Sequence, residues 1–364
     1  MIKCWSPVAL LALIGVCAGC STLAFYGQAI GGQWQVLRAR RPITQIQNDP
    51  ATAPSLRETL RIATSARSFA SRELGLPANA SYTTYADLAR EYVVWNVFAA
   101  PPLSFELRQS CFLIAGCVSY RGFFSESAAT TYAASLRALG DDVFVGGIAA
   151  YSTLGWFDDP VLNTMLRWST PELVKTIFHE LAHQLIYITD DSVFNESFAT
   201  AVADYGFARW QAADPVGRAT PDEPAHEREL IALLQATRAK LQRVYTSADS
   251  AAEKLKLKAT RFAELRDAYT ALKASWHGDT RYDKWINADL NNAKLASVAT
   301  YYDLVPGFTA LLVRHGANLN GFYTVVRALA RFAATPREAC LRAYADHARA
   351  PDVCGDPALT AADR

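Results

Sequence analysis

Apolar residues recur at helical spacing over long stretches of this chain. The pattern predicts a helix within residues 51–76 and two long amphipathic helices, at residues 227–245 and 251–276, that form a hairpin. We interpret the charged residues of the hairpin as its solvated face. Most of the chain after Thr170 is predicted to be helical, and no internal repeat or low-complexity linker divides it.

Residues 92–124 follow a different pattern. Short runs rich in valine and aromatic residues alternate here with glycines and two consecutive prolines, which is typical of short β-strands. A helix is predicted over residues 127–139, and a further strand over residues 142–152. The predicted fold class is therefore α+β, with a small sheet at about residues 92–152 followed by a mostly helical C-terminal region.

The next helix has a complete set of N-terminal signals. Ser169 can cap it, a proline occupies its first turn, and a glutamate follows the serine after three residues. Leu173, Ile177 and Leu181 then recur at helical spacing. A buried helix is predicted to begin at this point, directly after the sheet.

This helix carries His179 and His183, with Glu180 between them. Because four residues make about one helical turn, both imidazoles project from one face and can bind one metal ion. The spacing is the His-Glu-x-x-His arrangement of zinc peptidases, and it predicts Zn²⁺ as the cofactor. The alternative is a buried helix that contains two histidines by chance, in which an unpaired buried glutamate would be costly.

Glu196 is the predicted third metal ligand. Twelve residues separate it from His183, and the polar segment at residues 189–192 allows one helix to end and an antiparallel one to begin. Ala199 and Ala203 follow on the second helix, and their small side chains permit close packing. The active-site helices are therefore expected at about residues 170–212. The alternative for Glu196 is a solvated glutamate that interacts favourably with the helix dipole.

Two histidines and one glutamate leave the fourth zinc position to water, which marks a catalytic site. Zinc lowers the pKa of such a water to about 7, and Glu180 is predicted to accept its proton as it attacks a peptide carbonyl. Tyr301 and Tyr302 are candidate stabilisers of the resulting oxyanion. The alternative for both tyrosines is a core position with a hydrogen-bonded hydroxyl.

The N-terminus has the features of a bacterial export signal. Lys3 precedes a short apolar stretch that ends in small residues, so residues 1–19 are predicted to form a signal peptide. The segment that ends in Cys20 resembles a lipobox, and Ser21 after it resembles the outer-membrane sorting rule. Residues 20–50 are therefore expected to be a lipid-anchored segment on the periplasmic side of the outer membrane. An ordinary secreted protein is the alternative.

Cysteine usage fits an oxidising compartment. Of seven cysteines, two leave with the signal and Cys20 would be lipidated. The remaining four form local pairs, Cys111 with Cys117 and Cys340 with Cys354, which we interpret as structural disulfides. Free buried thiols are the alternative.

Composition limits the classes of partner. The hydrophobic fraction is 51%, and 36 basic residues against 35 acidic residues give a net charge of +1. These values are typical of a globular protein, and the chain has no basic stripe for nucleic acid. The expected partners are a peptide substrate and, through the lipid, a membrane.

Residues 179–183, followed by the Asn-Glu-Ser-Phe-Ala segment at residues 195–199, resemble the gluzincin peptidases. Aminopeptidase-N-like members of that group carry Asn-Glu-Gly-Phe-Ala around the third ligand. With the lipoprotein start and residues 116–122, 151–156 and 291–295, nearly the whole mature chain resembles the zinc aminopeptidase lipoproteins of Gram-negative bacteria. The resemblance implies a gluzincin-like fold, a zinc peptidase domain from residue 51 to residue 364, and aminopeptidase activity.

In zinc peptidases of this type, a strand beside the active helix binds the substrate backbone. Gly146 and Gly147 are the candidate substrate-binding residues, because glycines in a strand permit close approach of another chain; a glycine bulge is the alternative. The segment lacks the glutamate that holds the α-amino group in aminopeptidase-N-like enzymes. Asp158 or Asp159 could hold it instead, or the protein could be an endopeptidase. A third possibility is a non-catalytic outer-membrane binding or assembly factor.

Overall fold

The computed structural model describes residues 25–112, 116–219, 225–316, 318–346 and Cys354, and most of them are helical. The helices are α1 (25–39), α2 (Ile43–Asn48), α3 (Pro54–Glu73), α4 (Glu126–Ala138), α5 (Thr170–Leu185), α6 (Ser192–Ala213), α7 (Pro215–Arg218), α8 (His226–Thr246), α9 (Ala251–Ser275), α10 (Asp283–Asn287), α11 (Asn292–Tyr302), α12 (Val305–His315), α13 (Leu319–Leu329) and α14 (Ala334–Ala345). The strands are β1 (Arg40–Pro42), β2 (Thr84–Ala86), β3 (Val94–Ala100), β4 (Ser110–Phe112), β5 (Gly116–Val118), β6 (Arg121–Phe123), β7 (Asp142–Ile148) and β8 (Val161–Leu162).

The predicted α+β class and the small sheet before the active helix are confirmed. Strands β6, β3 and β7 form an antiparallel sheet in that order, so β7 is an outer strand. Strands β1, β2 and β8 form a second small sheet, and β4 and β5 form a hairpin. The helical hairpin predicted after residue 226 is also confirmed, as α8 and α9.

Helix α5 begins as its sequence predicts. The Ser169 side chain accepts a hydrogen bond from the Glu172 N–H, and the Glu172 carboxylate accepts one from the Ser169 N–H at 2.8 Å. Its apolar face packs against α3 and α6, and Ile177 and Phe178 are completely buried. Burial of this face fixes the rotation of α5, and therefore the direction in which its polar residues point.

Helices α5 and α6 form the main core together with α3, α12 and α13. Phe308 of α12 meets Phe194 and Phe198 of α6 edge to face, and Phe198 stacks on Phe322 of α13. Ala199 is completely buried on α6, and its small side chain allows α5 to approach closely. The outcome is a rigid helix pair beside the sheet.

A helical stretch over Asn292–His315 is long and apolar enough, by length and composition alone, to cross a membrane. Half of its most apolar window is buried inside the protein. Phe308 and Leu311 are completely buried in the core against α6 and α14. Core packing therefore accounts for the apolar character of this stretch.

Both predicted disulfides are present. Cys111 and Cys117 are directly opposite each other in the β4–β5 hairpin, and Cys340 on α14 is bonded to Cys354. The free-thiol alternative is therefore wrong. The predicted signal peptide and Cys20 lie outside the described residues.

Candidate metal centre

Three side chains on α5 and α6 bring their ligand atoms together. The Nε2 atoms of His179 and His183 are 3.0 Å apart, and Oε2 of Glu196 lies 3.1 Å from the first and 3.4 Å from the second. Among the described residues, these three form the group of His, Cys, Asp and Glu side chains whose ligand atoms lie close enough together to hold a metal ion. The structure therefore brings together all three residues predicted from the sequence.

The separations fit one shared ion. Bonds of about 2.0–2.2 Å at tetrahedral angles place neighbouring ligand atoms about 3.3 Å apart. The three observed separations, 3.0, 3.1 and 3.4 Å, lie close to that value. Nε2 of His183 faces the other two ligand atoms, and its Nδ1 is buried with no hydrogen-bond partner among the described residues. Two imidazoles and a carboxylate thus form a donor set that suits a divalent transition metal.

The turn between α5 and α6 holds Glu196 in place. The Asn195 side chain accepts a hydrogen bond from the Ile188 N–H at 2.8 Å and donates one to the Ile188 carbonyl at 2.7 Å. Asp190 of the same turn accepts a hydrogen bond from the Cys117 N–H, so the disulfide-closed hairpin rests on it. This bracing lets a connection of only twelve residues between His183 and Glu196 bring the ligands together.

A buried arginine fixes the start of α6. Asp191 caps α6 by accepting a hydrogen bond from the Phe194 N–H at 3.0 Å. Arg337 of α14 donates to the other Asp191 oxygen from two nitrogens, at 2.5 and 3.1 Å, and lies over the Phe194 ring. Arg337 is only 5% exposed. Such a buried, paired charge costs several kcal/mol to break, so the first turn of α6 is firmly positioned.

The electrostatics of the centre favour a charged Glu196. Burial alone would raise the pKa of Glu196, but His183 and hydrogen bonds from both histidines outweigh that effect and lower the pKa to about 2. Burial lowers the pKa of His183, and Glu196 more than reverses this, so the pKa rises on balance. The carboxylate is therefore an anionic ligand over the whole physiological pH range.

Glu180 lies beside the centre but is not part of the ligand group. It is buried and lines the same cavity as the histidines. Burial raises the pKa of its carboxyl group, while His179 and His183 act in the opposite direction. A carboxylate with a raised pKa is suited to accept a proton near neutral pH.

The centre opens into a cavity of about 730 Å³. One wall is the polar face of α5 and α6, and the facing wall is formed by α1, β3, β6 and the end of β7. Polar residues of the helical wall that the sequence analysis missed are Glu172, Thr176, Ser192, Thr200, Asp204 and, from α8, Glu227. Glu172 and Thr176 could have been found from the sequence, because they extend the helical face of His179 and His183.

Five tyrosines line the cavity, namely Tyr120, Tyr151, Tyr187, Tyr301 and Tyr302. The Tyr301 ring stacks on His179, with centroids 6.1 Å apart, and its hydroxyl makes no hydrogen bond to a described residue. Burial raises the pKa of Tyr301 well above its usual range, so it stays protonated. Tyr302 donates its hydroxyl proton to Glu227 at 3.1 Å. Tyr120, which the sequence analysis did not select, also lines the cavity.

Of the two glycines predicted to bind substrate, Gly147 lines the cavity and Gly146 does not. Both lie in regular pairing with β3, so the glycine-bulge alternative is not needed. Asp158 and Asp159 do not line the cavity. Asp159 is buried, and both of its carboxylate oxygens accept hydrogen bonds from Thr153. Neither aspartate is therefore available for an α-amino group in this cavity.

The family model described as "Putative aminopeptidase" matches residues 24–341. That range covers most of the chain. The chain belongs to this aminopeptidase family. The match includes the three ligand residues, Glu180 and the cavity walls, so the family assignment supports peptidase-like chemistry at a coarse level. No curated protein and no solved structure matches the chain.

Proposed function

We propose that the protein is a zinc-dependent peptidase of the aminopeptidase family, and that His179, His183 and Glu196 hold the ion. The observation that carries the proposal is the convergence of two imidazoles and a carboxylate within 4.8 Å, beside a further buried carboxylate in a single cavity. Three protein ligands leave a zinc coordination position open, as catalytic sites require.

Bound zinc would supply Lewis acidity for the attacking water and for the substrate carbonyl. The residues of the chain supply the remaining chemistry. Glu180 accepts the proton of the attacking water at its carboxylate and then donates it to the leaving amine. The Tyr301 hydroxyl, which bonds to no described residue and whose ring stacks on His179, donates a hydrogen bond to the oxygen of the scissile carbonyl. Tyr302 has a smaller role, because its proton is directed at Glu227.

Exopeptidase action needs an anion for the free amino group. Glu172, on the same helical face, is seven residues from His179, which corresponds to about 10 Å along the helix axis. Asp204 also faces the cavity, paired with Lys175 at 3.0 Å. An extended peptide covers about 3.3 Å per residue, so Glu172 would hold the amine of a peptide that is cut after about its third residue. Glu172 and Asp204 replace Asp158 and Asp159 as the carboxylates that can face an amine in this cavity.

A matched set of peptides tests the activity. The purified protein is incubated with alanine peptides of two to six residues, each with a free or an acetylated N-terminus. We expect cleavage that a chelator abolishes and that added zinc restores, with acetylation lowering the rate for an aminopeptidase. Equal cleavage of both sets would favour an endopeptidase. If no peptide is cleaved by zinc-loaded protein, the binding or assembly role becomes the better account.

We also propose that the protein is anchored to the outer membrane through lipid on Cys20 and faces the periplasm. Only residues 21–24 lie between the proposed anchor and residue 25, where α1 begins, so the two are at most about 18 Å apart. Ile30 and Trp34, four residues apart on α1, are 70% and 59% exposed, although both are large and apolar. Exposed apolar residues at this spacing support contact of α1 with a lipid surface.

Cys20→Ser should release the protein from membranes. Stable attachment needs two or more acyl chains, and α1 alone offers too little apolar surface to replace them. Detergent-free fractionation of cells that express the wild type and the variant measures the effect, with Cys340→Ser as the control for loss of a cysteine. The anchoring proposal fails if the Cys20→Ser protein still sediments with the membranes.

A further inference from the structure

The side chain of Asn96 is a buried polar group without a hydrogen-bond partner among the described residues. Asn96 is only 5% exposed, and it lines the cavity from the middle strand, β3. Its neighbours Trp95 and Val97 point to the opposite face of the sheet, against α4. The Asn96 amide is not among the fully buried atoms that lack a partner, because it reaches the space of the cavity. An amide without a protein partner that faces a cavity has the properties of a ligand-binding group.

A glycine on β6 keeps one side of Asn96 open to the cavity. Asn96 is paired with Gly122 on β6 and with Gly146 on β7, so neither cross-strand neighbour has a side chain on the face of the amide. Gly122 lines the cavity beside Asn96, and a Cβ atom on Gly122 would lie 3.1 Å from Oδ1 of Asn96. Over Gly146 the space is occupied by the Phe144 ring, which would lie 3.1 Å from a Cβ atom there, so the open side of the amide is the side of β6.

A second unsatisfied amide lies on the same wall. Gln28 of α1 lines the cavity and accepts a hydrogen bond from the Phe124 N–H at 2.8 Å, whereas its Nε2 is buried without a partner. Tyr120 lines the cavity at the other end of this segment, and its hydroxyl also has no partner among the described residues. The Asn96 amide and the Tyr120 hydroxyl are thus the hydrogen-bonding groups along β6 that reach the cavity, while the Gln28 Nε2 lies buried behind its surface.

The spacing of these groups matches an extended peptide. Tyr120, Gly122 and Phe124 lie on one face at intervals of two residues, about 6.6 Å along the strand. Gln28 is held at Phe124, and Asn96 lies opposite Gly122. An extended peptide presents backbone N–H and C=O groups to one side with the same two-residue repeat.

We infer that Asn96 forms a subsite for the backbone of an extended substrate peptide, beyond the residues that flank the scissile bond. The inference rests on the proposed peptidase function and adds a substrate class to it, namely peptides of four or more residues. Asn96 offers both a donor and an acceptor, so it can pair with one backbone amide unit. Tyr120 and Glu196 line the same cavity as Asn96.

Binding without turnover provides the test. In a Glu180→Gln background loaded with zinc, calorimetry measures the affinity for alanine peptides of two to six residues. We expect affinity to rise with length up to about five residues. Asn96→Leu should weaken binding of the long peptides about tenfold and leave the dipeptide unchanged. Val94→Ala, on the same wall but without a polar group, is the matched control and should keep the length dependence.

A chemical change in the ligand gives a second readout. The ligands are penta-alanine analogues in which one backbone N–H at a time is replaced by an ester oxygen. One of them should bind the Glu180→Gln protein about tenfold more weakly than penta-alanine does. In the Asn96→Leu variant, the same analogue should bind as tightly as penta-alanine, because the hydrogen bond that it lacks is already absent. Gly122→Ala, which places a methyl group against the Asn96 amide, should mimic Asn96→Leu if the latter does not fold.

The subsite proposal is wrong if the Asn96→Leu and Gly122→Ala variants bind penta-alanine as tightly as the Glu180→Gln protein without these substitutions. This result leaves the peptidase proposal intact when the wild type cleaves peptides. Conversely, Asn96-dependent binding by a protein whose wild type cleaves no peptide supports the subsite and overturns the peptidase function. The two proposals can therefore fail separately.

Discussion

The purified protein should contain about one zinc ion per chain, and His179→Ala and His183→Ala should each reduce this to below about 0.1 after dialysis. Each substitution removes one of only three protein ligands from a centre whose ligand atoms are 3.0–3.4 Å apart. Glu196→Ala should also lose the ion, since the anionic ligand contributes most of the charge attraction. Metal analysis by mass spectrometry measures all three variants.

Thermal unfolding provides an independent readout of the same site. Because bound metal stabilises the folded state by mass action, a chelator should lower the Tm of the wild type and leave that of the histidine variants unchanged. His277→Asn, which removes an exposed imidazole remote from the cavity, should behave as the wild type. Full zinc occupancy in both His179→Ala and His183→Ala would contradict the proposed centre.

Glu180→Gln should abolish most peptide hydrolysis while leaving zinc content and Tm unchanged. Its carboxylate is outside the ligand group, and the amide is nearly isosteric, so the loss is confined to proton transfer. Loss of a general base lowers kcat by about a hundredfold to ten-thousandfold. The measurement is kcat on the best alanine peptide found in the length series, at equal zinc loading.

The control is Glu264→Gln, which makes the same change of charge at a partly exposed position on α9 that does not line the cavity. It should retain full activity. A Glu180→Gln enzyme that hydrolyses peptide at the wild-type rate would refute the proposed mechanism. A zinc-loaded wild type without peptidase activity, combined with Glu180→Gln protein that still complements a deletion strain, would favour a scaffold over an enzyme.

The sequence predicted the metal-binding helix because its signals are local. Ser169, Pro171 and Glu172 define the start of α5 within four residues, and one helical turn sets the relation of His179 to His183. Prediction of Glu196 as a ligand was less direct, because the position of its side chain depends on the turn before α6. The sequence showed that a turn was needed. It did not show that Asn195 and Arg337 brace that turn.

The facing wall of the cavity could not be predicted in the same way. Asn96 lies in an apolar strand, and its lack of a partner becomes apparent only when β6 and β7 place glycines on both sides. Gln28 reaches the cavity through a packing of α1 on the sheet that spans almost one hundred residues of sequence. Contacts of this range depend on the complete fold and leave no periodic signal in the chain.

The position of Arg337 has a consequence for shortened forms of the protein. A chain that ended before α14 would retain every metal ligand and Glu180 in sequence, yet Asp191 would lose the two hydrogen bonds that it accepts from Arg337. The same cut would remove Cys340 and its disulfide. A motif search would still identify such a fragment as a complete enzyme. The turn that aligns Glu196 would nevertheless lack the hydrogen bonds from Arg337. Intactness of the active site therefore has to be judged from the C-terminal helix as well as from the ligands themselves.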